Sequence, residues 1–332
     1  MLQLGPTAES FVRRAYGGGI TDVICRFSNA KSHELFKDNE IIKNEPYAQV
    51  HSIRHYDIIS SYPAAMYYNT FGLGYPEFRQ GLQYIDGKLM KGIYECDVVV
   101  PDGLDLIYAV CDGKVSQITG KSRIYATNDE LDFFTGIGIK VEKAYTSLVF
   151  SHEGSPFKDY IGSFFKMKSE ASKKDPKRQI AKLFLNSLYG IFGIKGAPSN
   201  LVSFHTHKLS DEHKDLIIKY VLPEGFKHKV EMVGRIALEN LTNLVMNRQI
   251  PIDSVVMLNR PQTEYRLNAY ISAAVTAIAR INLMKGMRDV ERMGCKVYYF
   301  DTDSLIYGIP HSAISNSKEI VPYTYQEGVL GS

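Results

Sequence analysis

The sequence predicts an α+β fold, and two stretches carry most of that prediction. Val297–Phe300 and Leu305–Tyr307 are rich in β-branched and aromatic residues and flank a short polar turn, which is the pattern of an antiparallel hairpin. Residues 157–193 have helical periodicity with a break before Pro176, so they predict two consecutive helices. Strand-like and helix-like segments alternate over the rest of the chain.

The composition is that of an ordinary globular protein. The 332 residues allow two or three lobes, and 45% of them are hydrophobic. A net charge of +3 permits a polyanionic partner without requiring one. The four cysteines are too far apart for a Cys-x-x-Cys pair, which favours a reducing compartment such as the cytoplasm. No apolar run approaches the roughly 20 residues of a membrane span, so no membrane partner is expected.

The predicted hairpin turn carries two carboxylates. Asp301 and Asp303 are separated only by Thr302, and Ser304 completes the turn. Two carboxylates on one tip repel each other, and a divalent cation would relieve that repulsion. The alternative is an exposed turn that is rich in Asp because turns favour this residue.

A third carboxylate stands at a predicted strand end. Tyr56–Ile59 predicts the end of a strand, and a helix follows with Ser60 or Ser61 as its N-cap and Pro63 in its first turn. Asp57 would then lie beside the backbone amides that open the helix, which suits a metal ligand next to an anionic group. The alternative is a buried or capping aspartate.

The two central helices are basic. They are predicted over Phe157–Ala171 and 177–191, and residues 158–182 hold eight basic side chains against three acidic ones. The second helix is predicted to pack through one apolar stripe, made of Ile180, Leu183, Phe184 and Leu188. Another side would carry Arg178, Lys182, Asn186 and Tyr189, which suits phosphates, then a sugar, then a base. A solvated charged face is the alternative.

Other segments complete the layout. Tyr16–Gly19, the glycine loop, is predicted to be either a linker or a close-approach site for a nucleic-acid backbone. Thr127 and Glu130 have the spacing of a capping box. The remaining predictions are helices at 9–15 and 268–290, strands at 93–100 and 139–150, and an inserted subdomain at 194–267.

Three motifs occur in a fixed order along the chain. They are Asp57–Pro63, Lys182–Gly190 and Tyr299–Ser304. In this order they resemble the Asp-x-x-Ser-Leu-Tyr-Pro, Lys-x-x-x-Asn-Ser-x-Tyr-Gly and Tyr-x-Asp-Thr-Asp-Ser motifs of family B DNA polymerases. The second and third match at every fixed position, and in the first Ser61 stands where Leu is usual.

The finer resemblance is to the protein-primed branch of that family, from phages and linear plasmids. That branch carries a Tyr-x-Gly-Gly motif, which Tyr16, Gly18 and Gly19 match. It also has a Phe-Lys-Asp helix that leads to a phosphate-contacting lysine, here Phe157–Asp159 and then Lys168. We expect no exonuclease domain before residue 13. We also expect the chain to end near the point where other family members continue into the thumb.

The resemblance implies a DNA polymerase palm with an antiparallel sheet, two-helix fingers and insertions. The expected parts are an N-terminal segment with the template loop (1–55), palm with the first motif and first insertion (56–156), fingers (157–193), an inserted subdomain (194–267) and palm with the third motif (268–332). The expected function is template-directed addition of dNTPs to a 3′-hydroxyl by two-metal phosphoryl transfer. A non-catalytic DNA-binding and nucleotide-binding remnant of such an enzyme is the alternative.

The resemblance also implies a role for individual residues. The metal-binding set is Asp57, the Ile58 carbonyl and Asp303, with Asp301 as a further catalytic carboxylate. The nucleotide-binding set is Ser60, Ser61, Tyr62, Lys168, Lys182, Asn186, Tyr189 and Tyr299. The DNA-binding set is Tyr16, Gly18, Gly19 and Thr302. The expected cofactor is Mg²⁺ as two ions, with Mn²⁺ as a substitute. The expected partners are template and primer DNA, dNTPs and a terminal protein primer, in the cytoplasm of a host cell.

Overall fold

The structure is a computed structural model that describes residues 4–25, 52–172, 174–194 and 268–310, together with four short strands between 200 and 259. The chain divides into two units. One is formed by Met1–Gly193 and Leu267–Ser332, and the other by Ile194–Arg266.

The first unit is built from helices and antiparallel strands. Its described helices are α1 (Pro6–Ala15), α2 (Ser61–Tyr68), α3 (Asn128–Gly136), α4 (Lys158–Glu170), α5 (Pro176–Gly193) and α6 (Ala269–Arg292). Its described strands are β1 (Thr21–Val23), β2 (Ser52–Asp57), β3 (Phe71–Gln80), β4 (Tyr84–Ile85), β5 (Lys88–Leu89), β6 (Gly92–Val100), β7 (Tyr108–Cys111), β8 (Lys114–Gln117), β9 (Gly120–Thr127), β10 (Lys140–Gly154), β15 (Lys296–Asp301) and β16 (Ser304–Ile309). No helix in these ranges is long and apolar enough to cross a bilayer.

The second unit contributes four described strands. They are β11 (Asn200–Ser203), β12 (Ile217–Val221), β13 (Lys229–Val233) and β14 (Val255–Asn259). They form an antiparallel sheet in the order β11-β14-β12-β13. The remainder of the predicted inserted subdomain, 194–267, lies outside the described residues.

The hairpin predicted near the C-terminus forms, and it is the centre of an antiparallel sheet. The strand order is β1-β15-β16-β2. Within the hairpin Asp301 pairs with Ser304, so Thr302 and Asp303 form a two-residue turn. The sheet joins segments that are far apart in the sequence, because β1 pairs with β15 and β2 pairs with β16.

A second antiparallel sheet, ordered β3-β10-β6-β9, is formed by the part of the sequence between α2 and α4. Both predicted strands of this region form, and β10 is longer than predicted at its C-terminal end. The predicted capping box is present where β9 meets α3. The Glu130 amide donates to the Thr127 hydroxyl, and the Glu130 carboxylate accepts from the Thr127 amide at 3.0 Å.

Helix α6 is buried along most of its length and belongs to two hydrophobic clusters. Its first half, including Tyr270 and Ile278, packs with side chains of α1, α2 and α4. Its second half, including Met284 and Val290, packs with side chains of the hairpin and of the second sheet. The helix is covered on all sides from Ala269 to Met284, as expected of a core element. The two clusters therefore meet along this one helix.

A fully buried arginine lies between the two halves of α6. The Arg280 guanidinium donates to Glu130 Oε1 from Nη2 at 2.7 Å and from Nε at 3.2 Å. Its Nη1 donates to the carbonyls of Gly17 and Gly18 at 3.0 and 2.9 Å. Both ends of the ion pair are inaccessible to solvent, with exposed fractions of 0% and 1%. A buried charge is tolerated only when it is paired and hydrogen-bonded, so these contacts fix the glycine loop after α1.

The packing stripe predicted for α5 is wrong at Ile180 and Leu183, whereas Phe184 stacks on Phe164 of α4 with ring centroids 5.0 Å apart. Ile180, Leu183 and Phe184 have exposed fractions of 50%, 66% and 44%. Ala181 and Leu185 are buried instead, and Leu188 is partly buried as predicted. The helix carries apolar residues on more than one side, and its contacts with α4 and α6 decide which side is covered.

We predict that Arg280→Met lowers the free energy of unfolding by about 3–5 kcal/mol, because the Glu130 carboxylate then stays buried without its charged partner. Urea unfolding of the purified chain measures this. The matched control is Arg292→Met in the last turn of the same helix, where the ion pair with Asp289 is exposed. The control should change stability by no more than about 1 kcal/mol. Equal losses of unfolding free energy for both variants would show that burial of the ion pair does not determine its contribution to stability.

Candidate active site

Two of the predicted metal ligands lie next to each other at one end of the first sheet. β2 ends at Asp57, whose position pairs with Ser304 on the neighbouring strand. The Ile58 amide donates to the carbonyl of Asp303 at 2.8 Å. The sheet therefore brings the end of β2 against the hairpin turn, although Asp57 and Asp303 are far apart in the sequence.

The Asp303 carboxyl is held in an unfavourable electrostatic environment. Burial, followed by the nearby charges of Asp57 and Asp301, raises the pKa of Asp303 to about 6. Each of these influences disfavours the ionised form, and a divalent cation bound between the carboxylates would reverse that balance. The residues therefore fit a metal site made of oxygen ligands.

Asp301 has different surroundings. Its Oδ1 accepts from the hydroxyls of Thr21 at 2.7 Å and Thr302 at 3.0 Å, and its Oδ2 lies 3.4 Å from the hydroxyl of Tyr299. These hydrogen bonds, Thr21 first, lower the pKa of Asp301. Its carboxylate is thus already satisfied by protein donors, unlike that of Asp303.

The set of possible metal ligands is small. Among the described residues, no three His, Cys, Asp or Glu side chains are grouped closely enough to hold a metal ion by themselves. Mg²⁺ is commonly held by one or two carboxylates together with water and substrate phosphates. Asp57, Asp303 and the Ile58 carbonyl fit that kind of site, with Asp301 beside it.

The glycine loop packs directly on the hairpin turn. The Thr302 amide donates to the carbonyl of Ile20 at 2.8 Å, and Thr302 has a left-handed backbone with φ of 54°. A Cβ at Gly19 would lie 2.5 Å from the Thr302 hydroxyl oxygen, whereas a Cβ at Gly18 would meet nothing within 4 Å. Of the predicted DNA-binding residues, Gly19 and Thr302 are therefore in contact, and Gly18 is exposed.

Ser60 is the N-cap of α2, as predicted, but its side chain makes no capping hydrogen bond. Its backbone is left-handed, with φ of 56° and ψ of 46°, which turns the hydroxyl away from the helix amides. The hydroxyl accepts from Lys168 Nζ at 2.9 Å instead. Ser61 is buried, and its hydroxyl oxygen has no hydrogen-bond partner within the described part of the chain.

Two further cations lie near Lys168. Burial, and then the charges of Arg178 and Lys182, lower the pKa of Lys168. Arg178 also donates to the Lys168 carbonyl at 2.6 Å, which joins the end of α4 to the start of α5. Like charges held this close repel one another, so an anion such as a phosphate would stabilise the group.

Three tyrosines of the predicted site lie near one another. The rings of Tyr62 and Tyr189 stack, with their centroids 4.1 Å apart. Tyr16 is half-buried against Gly193 at the end of α5, and burial followed by Tyr189 raises its pKa. Asn186 is exposed on α5. Tyr16 thus lies beside α5 as well as on the glycine loop.

Two residues with contacts to the site were not among the predicted site residues. Arg280 holds the glycine loop, and a single charged residue in the Ala-rich first half of α6 was a usable signal, because a buried charge needs a partner. Thr21 donates to Asp301, and nothing in the local sequence distinguishes it from any other strand threonine.

The comparisons with known proteins fit this geometry. The sequence matches the family of organellar and viral type B DNA polymerases over residues 39–284. The chain belongs to this family. The predicted resemblance to family B polymerases of viral type is therefore confirmed.

Two curated relatives are informative. A "Probable DNA polymerase" of Podospora anserina is 26% identical over 317 residues, covering 90% of this chain and 23% of the relative. The DNA polymerase of Streptococcus phage Cp-1 is 31% identical over 156 residues, covering 42% of this chain and 27% of the relative. The chain thus spans about a quarter of the length of these relatives.

Solved structures show the same fold. Phi29 DNA polymerase in complex with primer-template DNA and incoming nucleotide substrates superimposes with a TM-score of 0.55 at 18% identity, covering 93% of this chain and 45% of that one. The orthorhombic crystal form of Phi29 DNA polymerase gives a TM-score of 0.58 at 17% identity, covering 92% and 44%. The predicted α+β polymerase fold is confirmed.

We predict that Gly19→Ala lowers the melting temperature by several degrees, because the new methyl group must displace Thr302 from the hairpin turn. Differential scanning fluorimetry of the DNA-free chain measures this. The matched control is Gly18→Ala, which has open space for its methyl group and should stay within about 1 °C of the wild type. A larger loss for the control would contradict the packing of the loop.

We also predict that Mg²⁺ binds about 10-fold more weakly at pH 5 than at pH 7, because Asp303 with a pKa of about 6 is mostly protonated at the lower pH. The pKa of Asp303 in the folded chain lies above that of an aspartate in the unfolded chain. The metal-free chain therefore gains stability from this carboxyl as the pH falls from about 6 towards 4. Calorimetric titration at both pH values measures the affinity. A wild-type affinity that is equal at pH 5 and pH 7 would contradict the prediction.

Proposed function

We propose that this chain is the palm and fingers region of a template-directed DNA polymerase that adds dNTPs to a 3′-hydroxyl. The observation that carries the proposal is that β2, which ends at Asp57, lies next to the turn that carries Asp303. The chain also belongs to the type B polymerase family. The proposed parts are those predicted from the sequence, 1–55, 56–156, 157–193, 194–267 and 268–332.

The proposed cofactor is Mg²⁺ as two ions, with Mn²⁺ as a substitute. Asp57, Asp303 and the Ile58 carbonyl would hold it, with Asp301 as the adjacent carboxylate. When bound, such ions stabilise charge on the attacking and leaving oxygens of an in-line displacement. The raised pKa of Asp303 supports this assignment, because it reflects burial of the carboxyl and, after that, the nearby charges of Asp57 and Asp301.

The proposed triphosphate site is the cation group formed by Lys168, Arg178 and Lys182. Lys168 is anchored on the Ser60 hydroxyl, and the start of α2 at Ser61 would place backbone amides beside the same phosphates. Lys168 would exchange its hydrogen bond with Ser60 for one to a phosphate oxygen, which is charged at both ends and therefore stronger.

The proposed sugar and base contacts come from the aromatic residues. Tyr62 would lie under the sugar and exclude a 2′-hydroxyl, and its stacking on Tyr189 supports a preformed surface there. Asn186 would face the incoming nucleotide from α5. Tyr299 would lie close by, where its hydroxyl is already near Asp301.

The proposed DNA contacts are made by Tyr16, Gly18, Gly19 and Thr302. The exposed backbone at Gly18 would allow close approach of a template strand. Binding through phosphates should weaken steeply as salt increases. A terminal protein primer and a location in the host cytoplasm remain part of the proposal, in keeping with the phage relative.

We predict that the purified chain extends a primer on a single-stranded template with Mg²⁺ and dNTPs, and that Asp303→Asn slows extension at least about 100-fold because a metal ligand is lost. The control is Asp289→Asn on the surface of α6, which should extend at the wild-type rate. Primer–template binding without extension by the wild type would instead indicate a non-catalytic DNA-binding protein that keeps the motifs.

A further inference from the structure

Thr21 lies directly opposite Asp301 in the first sheet. The two residues are paired across β1 and β15, and the Thr21 hydroxyl donates to Asp301 Oδ1 at 2.7 Å. Only Ile20 separates Thr21 from the glycine loop, so Thr21 joins that loop to the strand that leads into the hairpin turn. None of the three motifs of the sequence includes it.

Three hydroxyls lie near the Asp301 carboxylate, and only that of Thr21 comes from a different strand. Tyr299 and Thr302 belong to the hairpin that carries Asp301 itself. Thr21 belongs to a separate strand, so its bond ties that strand to the hairpin through side chains. The shorter distance, 2.7 Å against 3.0 and 3.4 Å, also makes it the strongest of the three.

The link joins β15 to a short strand at the edge of the sheet, which the amides of Ile24 and Cys25 also hold through the Tyr298 carbonyl. β1 is a three-residue edge strand, and all three of its side chains are exposed. Short edge strands have few backbone hydrogen bonds to keep their position. The backbone hydrogen bond from the Thr302 amide to the Ile20 carbonyl also holds the residue after the glycine loop against the hairpin turn. Loss of the Thr21 hydroxyl would therefore loosen Gly19 against Thr302.

We propose that Thr21 is a positioning residue for nucleotide addition, which fixes the Asp301 carboxylate and thereby ties the glycine loop to the turn that carries Asp303. The inference rests on the proposed function of the site. A threonine–aspartate pair that only stabilises the sheet is the competing explanation, since cross-strand pairs commonly do so.

The test compares Thr21→Val, which has the same shape without the hydroxyl, with Thr21→Ser, which keeps it. The matched control is Thr70→Val, because Thr70 also donates to an exposed carboxylate, that of Glu153. Hydrogen–deuterium exchange of the full chain should show the Thr302 amide exchanging about 10-fold faster in Thr21→Val. Thr21→Ser and Thr70→Val should exchange like the wild type.

Primer extension provides the second measurement. Thr21→Val should lower kcat about 10-fold with the KM for dNTP unchanged, and Thr21→Ser should restore it. A lower melting temperature with unchanged kcat would overturn the inference in favour of a sheet-stabilising pair. Unchanged exchange at Thr302 would overturn it as well.

The two measurements separate this inference from the proposed function. If the wild type extends the primer and Thr21→Val extends equally well, the inference fails and the proposed function stands. If the wild type does not extend while Thr21→Val still speeds exchange at Thr302, the proposed function fails and the tie between loop and turn stands.

Discussion

Arg280 is a guanidinium without solvent access, and three oxygens from two other segments satisfy it. Glu130 supplies one of them while its other oxygen caps α3, and the carbonyls of Gly17 and Gly18 supply the rest. Removing any partner would leave a buried polar group unsatisfied, which is costly. Arg280 therefore fixes the start of the glycine loop at Gly17 and Gly18, while Ile20 and Thr21 hold its other end against the hairpin.

Two residues of the candidate site adopt left-handed backbone conformations that are unfavourable for side chains other than glycine. Ser60 does so where β2 leads into α2, and Thr302 does so in the hairpin turn. Such conformations persist only when surrounding contacts impose them. Lys168 holds the Ser60 hydroxyl, and Ile20 holds the Thr302 amide. Both strained positions thus coincide with contacts to the proposed phosphate and template regions.

The sequence was sufficient for the elements whose signals are local. The hairpin, the capping box of Thr127 and the strand end at Asp57 each follow from residues within a few positions. The buried stripe of α5 was not predictable, because several of its sides are apolar and only the neighbouring helices choose among them. The conformation of Ser60 and the partners of Arg280 depend on residues more than 100 positions away, which no local pattern encodes.

The carboxylates of the hairpin turn are distinguished by their donors. Asp301 accepts hydrogen bonds from the hydroxyls of Thr21 and Thr302, which stabilise its ionised form. Asp303 is half-buried beside two other carboxylates, so its carboxyl holds a proton more strongly than an ordinary aspartate does. The hairpin therefore carries one carboxylate whose ionised form is stabilised by hydroxyl donors and one whose ionised form is disfavoured. This division explains why two aspartates separated by a single residue need not share one role.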